Sequence, residues 1–169
     1  LAKIAEGKQF LEGQGEPQVG LMADLLYWEA DQLRHLGDLA RAEIAARQAL
    51  DFAKQHADAV STHGPANVLA AILIGLGNWE EAEVLLSEAL REAEQVYGAE
   101  STELPRVLNS LAIVCMRTGR VQEAVNLQRR GLAIEERVLG THPETAATLL
   151  NLGAMLSRLG KHAEGEAHA

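Results

Sequence analysis

The sequence predicts an all-α fold, a solenoid of antiparallel helix pairs, and three observations support this. Glycines recur at intervals of 40, 42 and 41 residues, at Gly37, Gly77, Gly119 and Gly160. A small residue lies seven positions before each of them, and an Ala-Leu or Gly-Leu pair follows the first three at positions twelve and thirteen. Aromatic residues make up 4% of a chain that is 47% hydrophobic, and Ala, Leu, Val and Ile suit closely packed helices.

The recurring glycines are expected to be turns between the two helices of a pair. A glycine can adopt positive φ without a Cβ clash, which the C-terminal cap of a helix commonly requires. The small residues at fixed positions on both sides allow the two helix axes to approach closely. Each period therefore contains one helical hairpin.

The helices are expected from the spacing of their apolar residues. Leu108, Leu111, Ala112 and Cys115 follow a three-to-four-residue spacing that gives a helix one buried stripe. The same pattern along the chain predicts nine helices, over residues 1–13, 17–36, 38–58, 65–76, 79–97, 102–118, 121–139, 143–159 and 161–169.

Further glycines, Gly98 and Gly140, are expected to end the second helix of a pair. The residues after Gly140 are typical of the start of a helix. Thr141 lies near the expected N-cap, Pro143 lies in the first turn, and the carboxylate of Glu144 interacts favourably with the helix dipole. Ser101 introduces the preceding helix in the same way. The connections between pairs are therefore short.

This pattern of small residue, turn glycine, Ala five positions later and Ala-Leu at twelve and thirteen resembles the tetratricopeptide repeat family. The period and the segment 139–146 resemble its longer, kinesin-light-chain-type variant. The resemblance covers the chain from about Pro17 and implies a right-handed superhelix, although Gly165 stands where the family usually has Ala.

The resemblance divides the chain into repeats that form one continuous domain. We expect residues 1–16 to be the last helix of a preceding partial repeat. Complete repeats then follow over 17–58, 59–98 and 99–140, with a partial repeat over 141–169. Because the sequence begins and stops in mid-pattern, we interpret it as a piece of a longer protein.

The resemblance also implies a groove lined by the first helix of each pair. At roughly 25 Å for ~17 residues, such a helix offers room for an extended peptide or a helical ligand. Counted from the turn glycines, the expected peptide-binding residues are Tyr27, Asp31, Arg34, Asn67, Asn109, Ile113, Met116, Arg117, Asn151 and Arg158.

The side chains at these positions suggest the ligand. An Asn amide can donate to a peptide carbonyl and accept from its N–H. Arginines at 34, 106, 117 and 158 are suited to carboxylates, which predicts an acidic or C-terminal peptide. The alternative is that some of these arginines are solvated or paired with nearby Glu.

Charge and composition argue against other partners. The formal net charge is -9 and the pI is about 5.1, so nucleic acid and anionic membranes are repelled on average. No apolar run reaches the ~18 residues of a membrane span. The chain has one cysteine, which excludes an internal disulfide and leads us to expect a cytoplasmic protein.

Catalytic, metal and cofactor sites are not expected. His162 and His168 are about 600° apart around a helix and do not share a face. Cys115 occupies a core-type position, and we interpret the carboxylate pairs 80–81 and 135–136 as solvated helix faces. No Gly-Lys-Ser/Thr phosphate loop is present.

The first hypothesis is therefore a non-catalytic protein- or peptide-binding scaffold without a cofactor. The alternative is a sensor domain of a larger signalling protein that responds to a ligand or peptide. Internal repeats lack a polar cap, so self-association through exposed solenoid ends at Leu1 and Ala169 is also expected.

Overall fold

The computed structural model describes residues 1–12, 18–139 and 143–167, and in these segments it contains eight α-helices and no strand. The all-α prediction is confirmed. The helices are α1 (Ala2–Glu12), α2 (Val19–His35), α3 (Leu39–Gln55), α4 (His63–Leu76), α5 (Trp79–Tyr97), α6 (Leu104–Arg117), α7 (Val121–Leu139) and α8 (Pro143–Ala167).

The predicted left-handed turns are present at the first three repeat glycines. Gly37, Gly77 and Gly119 have φ values of 79°, 85° and 83°, and each lies between the two helices of a pair. Gly98 also adopts positive φ, at 86°. The helix after Gly37 is capped by Asp38, whose carboxylate accepts a hydrogen bond from the Arg41 backbone N–H at 3.2 Å.

The predicted turn at Gly160 is wrong. Helix α8 continues through this residue to Ala167, and Gly160 does not have positive φ. One helix therefore replaces the two that were expected over 143–159 and 161–169. The physical reason is that a single glycine costs a helix only about 1 kcal/mol, and Lys161, Ala163 and Glu164 are good helix formers.

The chain separates into two compact units, Leu1–Leu85 and Leu86–Ala169, with the division inside α5. We call them the N-terminal and C-terminal units. The repeat boundaries expected from the sequence remain predictions. The helix ends expected at Gly140 and the side chains of His162 and His168 lie outside what the structure describes.

The core of the N-terminal unit lies between α2, α3 and α4, which pack on one another. Helix α3 contributes mainly alanine, which lets neighbouring helices approach closely. Helix α1 lies against α2: a Cβ added at Gly7 would lie 3.1 Å from Leu25 Cδ1. The fully or nearly buried residues of this core include Ala30, Leu33, Ala42, Ala46, Ala49, Ala53, Leu69, Ala70, Ile72 and Leu73.

In the C-terminal unit α7 packs against both α6 and α8. A Cβ added at Gly131 of α7 would lie 3.6 Å from the Pro105 Cα, an ordinary van der Waals distance, which shows that α6 and α7 pack closely at this point. Cys115 is buried, as its core-type position predicted. Two apolar clusters form the core: Ala112, Cys115, Ala124, Val125, Leu152 and Met155, and separately Ala93, Leu104, Leu108 and Ile134.

Across the part of the chain that the structure describes, none of the helices is both long and apolar enough to cross a membrane.

Candidate functional site

The C-terminal unit contains a pocket of about 530 Å³ that is lined by three helices and the segment before α6. A volume of this size is in the range of pockets that hold small molecules or single side chains. Seven of its nine lining residues have polar side chains. The lining residues are Thr102, Glu103, Pro105, Arg106, Asn109, Glu135, Ala147, Thr148 and Asn151.

Two of the predicted peptide-binding residues meet in this pocket. Asn151 Nδ2 of α8 donates a hydrogen bond to Asn109 Oδ1 of α6 at 3.1 Å. The two residues are 42 positions apart in the chain, so the bond joins the first helices of successive predicted repeats. The pair presents the Asn109 Nδ2 amide as a donor and the Asn151 Oδ1 atom as an acceptor on the pocket wall.

Glu135 of α7 also lines the pocket, and its interpretation as part of a solvated face is wrong. The residue is only 8% exposed, and its Oε2 atom has no hydrogen-bond partner among the described residues. Sixteen positions after its turn glycine, Glu135 occupies the place of Ala53 and Ala93 in the preceding repeats, both of which are buried. This repeat position was the signal that could have identified it.

Gln128 lies seven residues before Glu135 on α7, and it too is a polar residue at a position that is buried and apolar in the preceding repeats. It lies nine positions after the turn glycine, where the earlier repeats have the buried residues Ala46 and Leu86. Gln128 is 1% exposed, and both atoms of its amide group lack hydrogen-bond partners in the described part of the chain. The buried face of α7 is therefore polar at two positions where the preceding repeats are apolar.

The other predicted residues of the C-terminal unit do not line the pocket. Ile113 and Met116 are half-buried, and Met116 packs against the apolar cluster around Cys115. Arg117 and Arg158 are exposed. The pocket instead contains Arg106, which sequence analysis named as a carboxylate-binding candidate.

In the N-terminal unit the predicted residues of α2 lie close together. Arg34 Nη2 contacts Asp31 Oδ1 at 2.8 Å, and the His35 Nδ1 lies 3.3 Å from Asp31 Oδ2. The Tyr27 ring meets Trp28 edge-on, with centroids 5.6 Å apart. Arg34 is therefore paired with an acid, which was the alternative to a groove role.

Asn67, the equivalent of Asn109 in the preceding repeat, is 7% exposed on α4 and is engaged in an interaction within the protein. It differs from Asn109, which is half-buried and reaches a pocket. The same residue type at the same repeat position therefore has two different environments.

No group of three or more His, Cys, Asp or Glu side chains that could hold a metal ion occurs within the described residues. The pocket combines carboxylate, guanidinium and amide groups, which are the groups that bind peptides through hydrogen bonds and charge.

Comparison with known families decides what kind of chain this is. The family model described as tetratricopeptide repeat matches residues 58–134 and 103–169, which together span more than half of the sequence. The chain belongs to the tetratricopeptide repeat family. Every residue that lines the pocket lies within these matched segments.

Solved structures of tetratricopeptide-type repeats have the same fold. BtubC (BKLC) from P. vanneervenii is 22% identical, with a TM-score of 0.82 over 98% of this chain and 67% of that one. A putative kinesin light chain from Podosopora anserina with nearly identical TPR-like repeats is also 22% identical, with a TM-score of 0.72 over 82% of this chain and 67% of that one. No curated protein matches the sequence significantly.

The expected fold class and family are therefore confirmed. This tetratricopeptide repeat chain is an all-α helical repeat solenoid, and its fold is similar to that of the putative kinesin light chain. A fold of this kind is consistent with a protein-interaction scaffold.

Proposed function

We propose that the chain is a non-catalytic scaffold that binds a protein or peptide along the first helices of its repeats. The observation that carries the proposal is the Asn109–Asn151 pair in the pocket of the C-terminal unit. Asparagine is unfavourable within a helix, and here two asparagines from different helices are joined at a pocket wall. A ligand-binding role accounts for this placement.

The free groups of the pair match a peptide unit. Asn109 Nδ2 can donate to a peptide carbonyl while Asn151 Oδ1 accepts from a peptide N–H. These two hydrogen bonds fix the ligand backbone without requiring a particular side chain. Recognition of many related sequences is the expected behaviour of such a site.

The arginines support an acidic or C-terminal peptide as the ligand. Arg106 lines the pocket, and Arg117 and Arg158 are exposed in the same unit. A guanidinium forms charge-assisted hydrogen bonds with a carboxylate, and these are stronger than neutral ones. We propose that acidic groups of the ligand lie near these arginines, outside the part of the pocket that contains Glu135.

Two further parts of the proposal concern context. Self-association is supported by exposed leucines on α8, of which Leu150 is 76% exposed. We also place the protein in the cytoplasm, because a single buried cysteine fits a reducing compartment.

The proposal is tested with an array of random short peptides probed with the purified chain, followed by fluorescence anisotropy with the peptides that bind. Asn109→Ala and Asn151→Ala are each expected to weaken binding by roughly threefold to tenfold, because each removes one neutral hydrogen bond. Thermal unfolding of both variants should confirm that they remain folded.

Asn126→Ala is the matched control. Asn126 is an exposed asparagine on α7 that accepts a hydrogen bond from Gln122 and does not line the pocket. Its replacement should leave affinity unchanged. An array without any binding peptide, or equal losses at Asn126 and Asn109, would contradict the proposal.

A further inference from the structure

We propose that the pocket holds the side chain of a lysine or arginine from the bound peptide, with Glu135 as its anionic partner. This inference rests on the proposed peptide-binding function and adds to it a specificity for one basic residue. The acidic preference assigned to the arginines concerns other positions of the same ligand.

The burial of Glu135 is the first observation. Its side chain lines the pocket, yet the residue is 92% removed from solvent and Oε2 has no hydrogen-bond partner among the described residues. Burying a carboxylate without a partner is unfavourable. A ligand that brings a cation into the pocket places it beside this carboxylate and compensates its buried charge.

The repeat position of Glu135 is the second observation. The two preceding repeats have alanine there, Ala53 and Ala93, and both are buried in helix packing. The helix pair therefore packs without an acid at this position. Glutamate in the third repeat is not required by the fold, and its presence next to a pocket points to a ligand.

The charges around the pocket favour a cation. Two lining residues are acidic, Glu103 and Glu135, and one is basic, Arg106. The Arg106 side chain is exposed and makes no hydrogen bond to Glu135 Oε2. The guanidinium among the lining residues therefore does not pair with this oxygen.

The remaining lining suits a lysine or arginine side chain. A lysine ammonium has three donors, and besides the Glu135 carboxylate the lining contains the Thr148 hydroxyl as a further acceptor. Pro105 and Ala147 give apolar contact for its methylene stem. The pocket's volume of about 530 Å³ accommodates the whole group.

The test compares three pools of N-acetylated peptides with a free C-terminal carboxylate, random flanking residues and a fixed central lysine, norleucine or glutamate. Norleucine keeps the length of the lysine stem and lacks its charge. The wild-type chain is expected to bind the lysine pool roughly tenfold more tightly than the norleucine pool, because a charge-assisted hydrogen bond is gained. The glutamate pool should bind most weakly.

Two variants at Glu135 and one control identify the group responsible. Glu135→Gln and Glu135→Ala should bind the lysine and norleucine pools with equal affinity, because the charge that distinguishes the two pools no longer has a partner. Glu136→Gln makes the same charge change at the exposed neighbouring residue, and it should keep the tenfold preference. The melting temperature of Glu135→Ala should be equal to or above that of the wild type.

The outcomes separate this inference from the proposed function. Equal binding of the lysine and norleucine pools by the wild type would overturn the basic subsite and leave peptide binding intact. Absence of binding to every pool would overturn both. A lowered melting temperature of Glu135→Ala with an unchanged lysine preference would show that Glu135 is structural, and it would also overturn the inference.

Discussion

Arg47 connects two helices of the N-terminal unit through two carboxylates. Its Nη1 lies 2.7 Å from Glu81 Oε1 of α5, and its Nη2 lies 2.8 Å from Glu43 Oε1 on its own helix α3. The hydrogen bond with Glu81 is the main reason that the pKa of Arg47 is raised above its ordinary value. The same hydrogen bond lowers the pKa of Glu81 below 4.5.

Glu81→Gln is expected to lower the free energy of unfolding at neutral pH by about 0.5 kcal/mol. The value is small because the Arg47 and Glu81 side chains are 43% and 40% exposed, so that solvent screens the attraction between their charges. The folded-state pKa of Glu81 is lowered, so its contribution is complete above the ordinary carboxyl range and is lost as the pH falls through the lowered pKa. The difference between wild type and variant should therefore disappear in acid.

Urea unfolding at neutral pH and below about pH 3 measures this difference. Glu80→Gln, at the exposed neighbouring residue, is the control: it removes the same charge from the first turn of α5 without breaking the ion pair, so it should lower the neutral-pH stability less than Glu81→Gln does. A Glu81→Gln effect of the same size in acid would contradict the ion-pair explanation.

At the residue scale, chemistry and repeat position pointed to the same two asparagines, and their role in binding stays a prediction. Asn109 and Asn151 were selected because mid-helix asparagine is unfavourable and occurs near equivalent positions, and they meet in the structure at 3.1 Å. Glu135 was missed because its neighbours Glu136 and Arg137 suggest a solvated surface. Only comparison with the buried alanines of the preceding repeats shows that it faces inward.

Helix boundaries were predicted well wherever a strong local signal exists. The expected helices over 79–97 and 121–139 coincide with Trp79–Tyr97 and Val121–Leu139. Both follow a glycine whose positive φ ends the preceding helix. Helix α4 begins at His63, two residues before the prediction, where the His63 backbone N–H donates to Ser61 Oγ at 3.4 Å.

Helix α8 shows that a glycine at the expected repeat position does not by itself end a helix. A Cβ added at Gly160 would meet no atom within 4 Å, whereas Gly77 at the equivalent position adopts a φ of +85°. We expect Gly160→Ala to stabilise the protein by about 0.5–1 kcal/mol, since alanine is the better helix former. Gly77→Ala should destabilise it by roughly 1–2 kcal/mol, because its Cβ would clash in the left-handed conformation.

Circular dichroism during urea unfolding measures both effects, and the two variants serve as controls for each other. Destabilisation by Gly160→Ala of the size expected at Gly77 would show that Gly160 forms a turn after all.

At the scale of the whole molecule, the net charge of -9 attracts a cationic ligand before contact. If the peptide carries the basic residue inferred for the Glu135 pocket, its association rate should fall several-fold between about 0.01 and 0.15 M salt, as the Debye length shortens from about 30 to 8 Å. The norleucine counterpart of the same peptide should show a weaker dependence.

Stopped-flow fluorescence with a lysine-containing peptide from the array measures these rates. An identical salt dependence for the lysine and norleucine peptides would mean that long-range charge does not assist this ligand.

The fold class followed from the sequence because the repeat period is a property of the whole chain and survives local departures such as Gly160. The pocket did not follow, because its wall combines residues from three helices, from Pro105 of α6 to Asn151 of α8. The buried carboxylate in its wall comes from one substitution within one repeat, Glu135 in place of alanine, and such a single difference is not visible in a pattern shared by all repeats.

The bond between Asn109 and Asn151 also restricts the conformation of what can bind there. In an α-helix the backbone N–H and C=O groups are already used by the helix itself, so a helical ligand has none to offer to these two amides. An extended segment has unused groups along both edges, as an edge strand does. The peptide proposed to bind the asparagine pair should therefore have a strand-like backbone, even though the protein that presents the pair is built from helices.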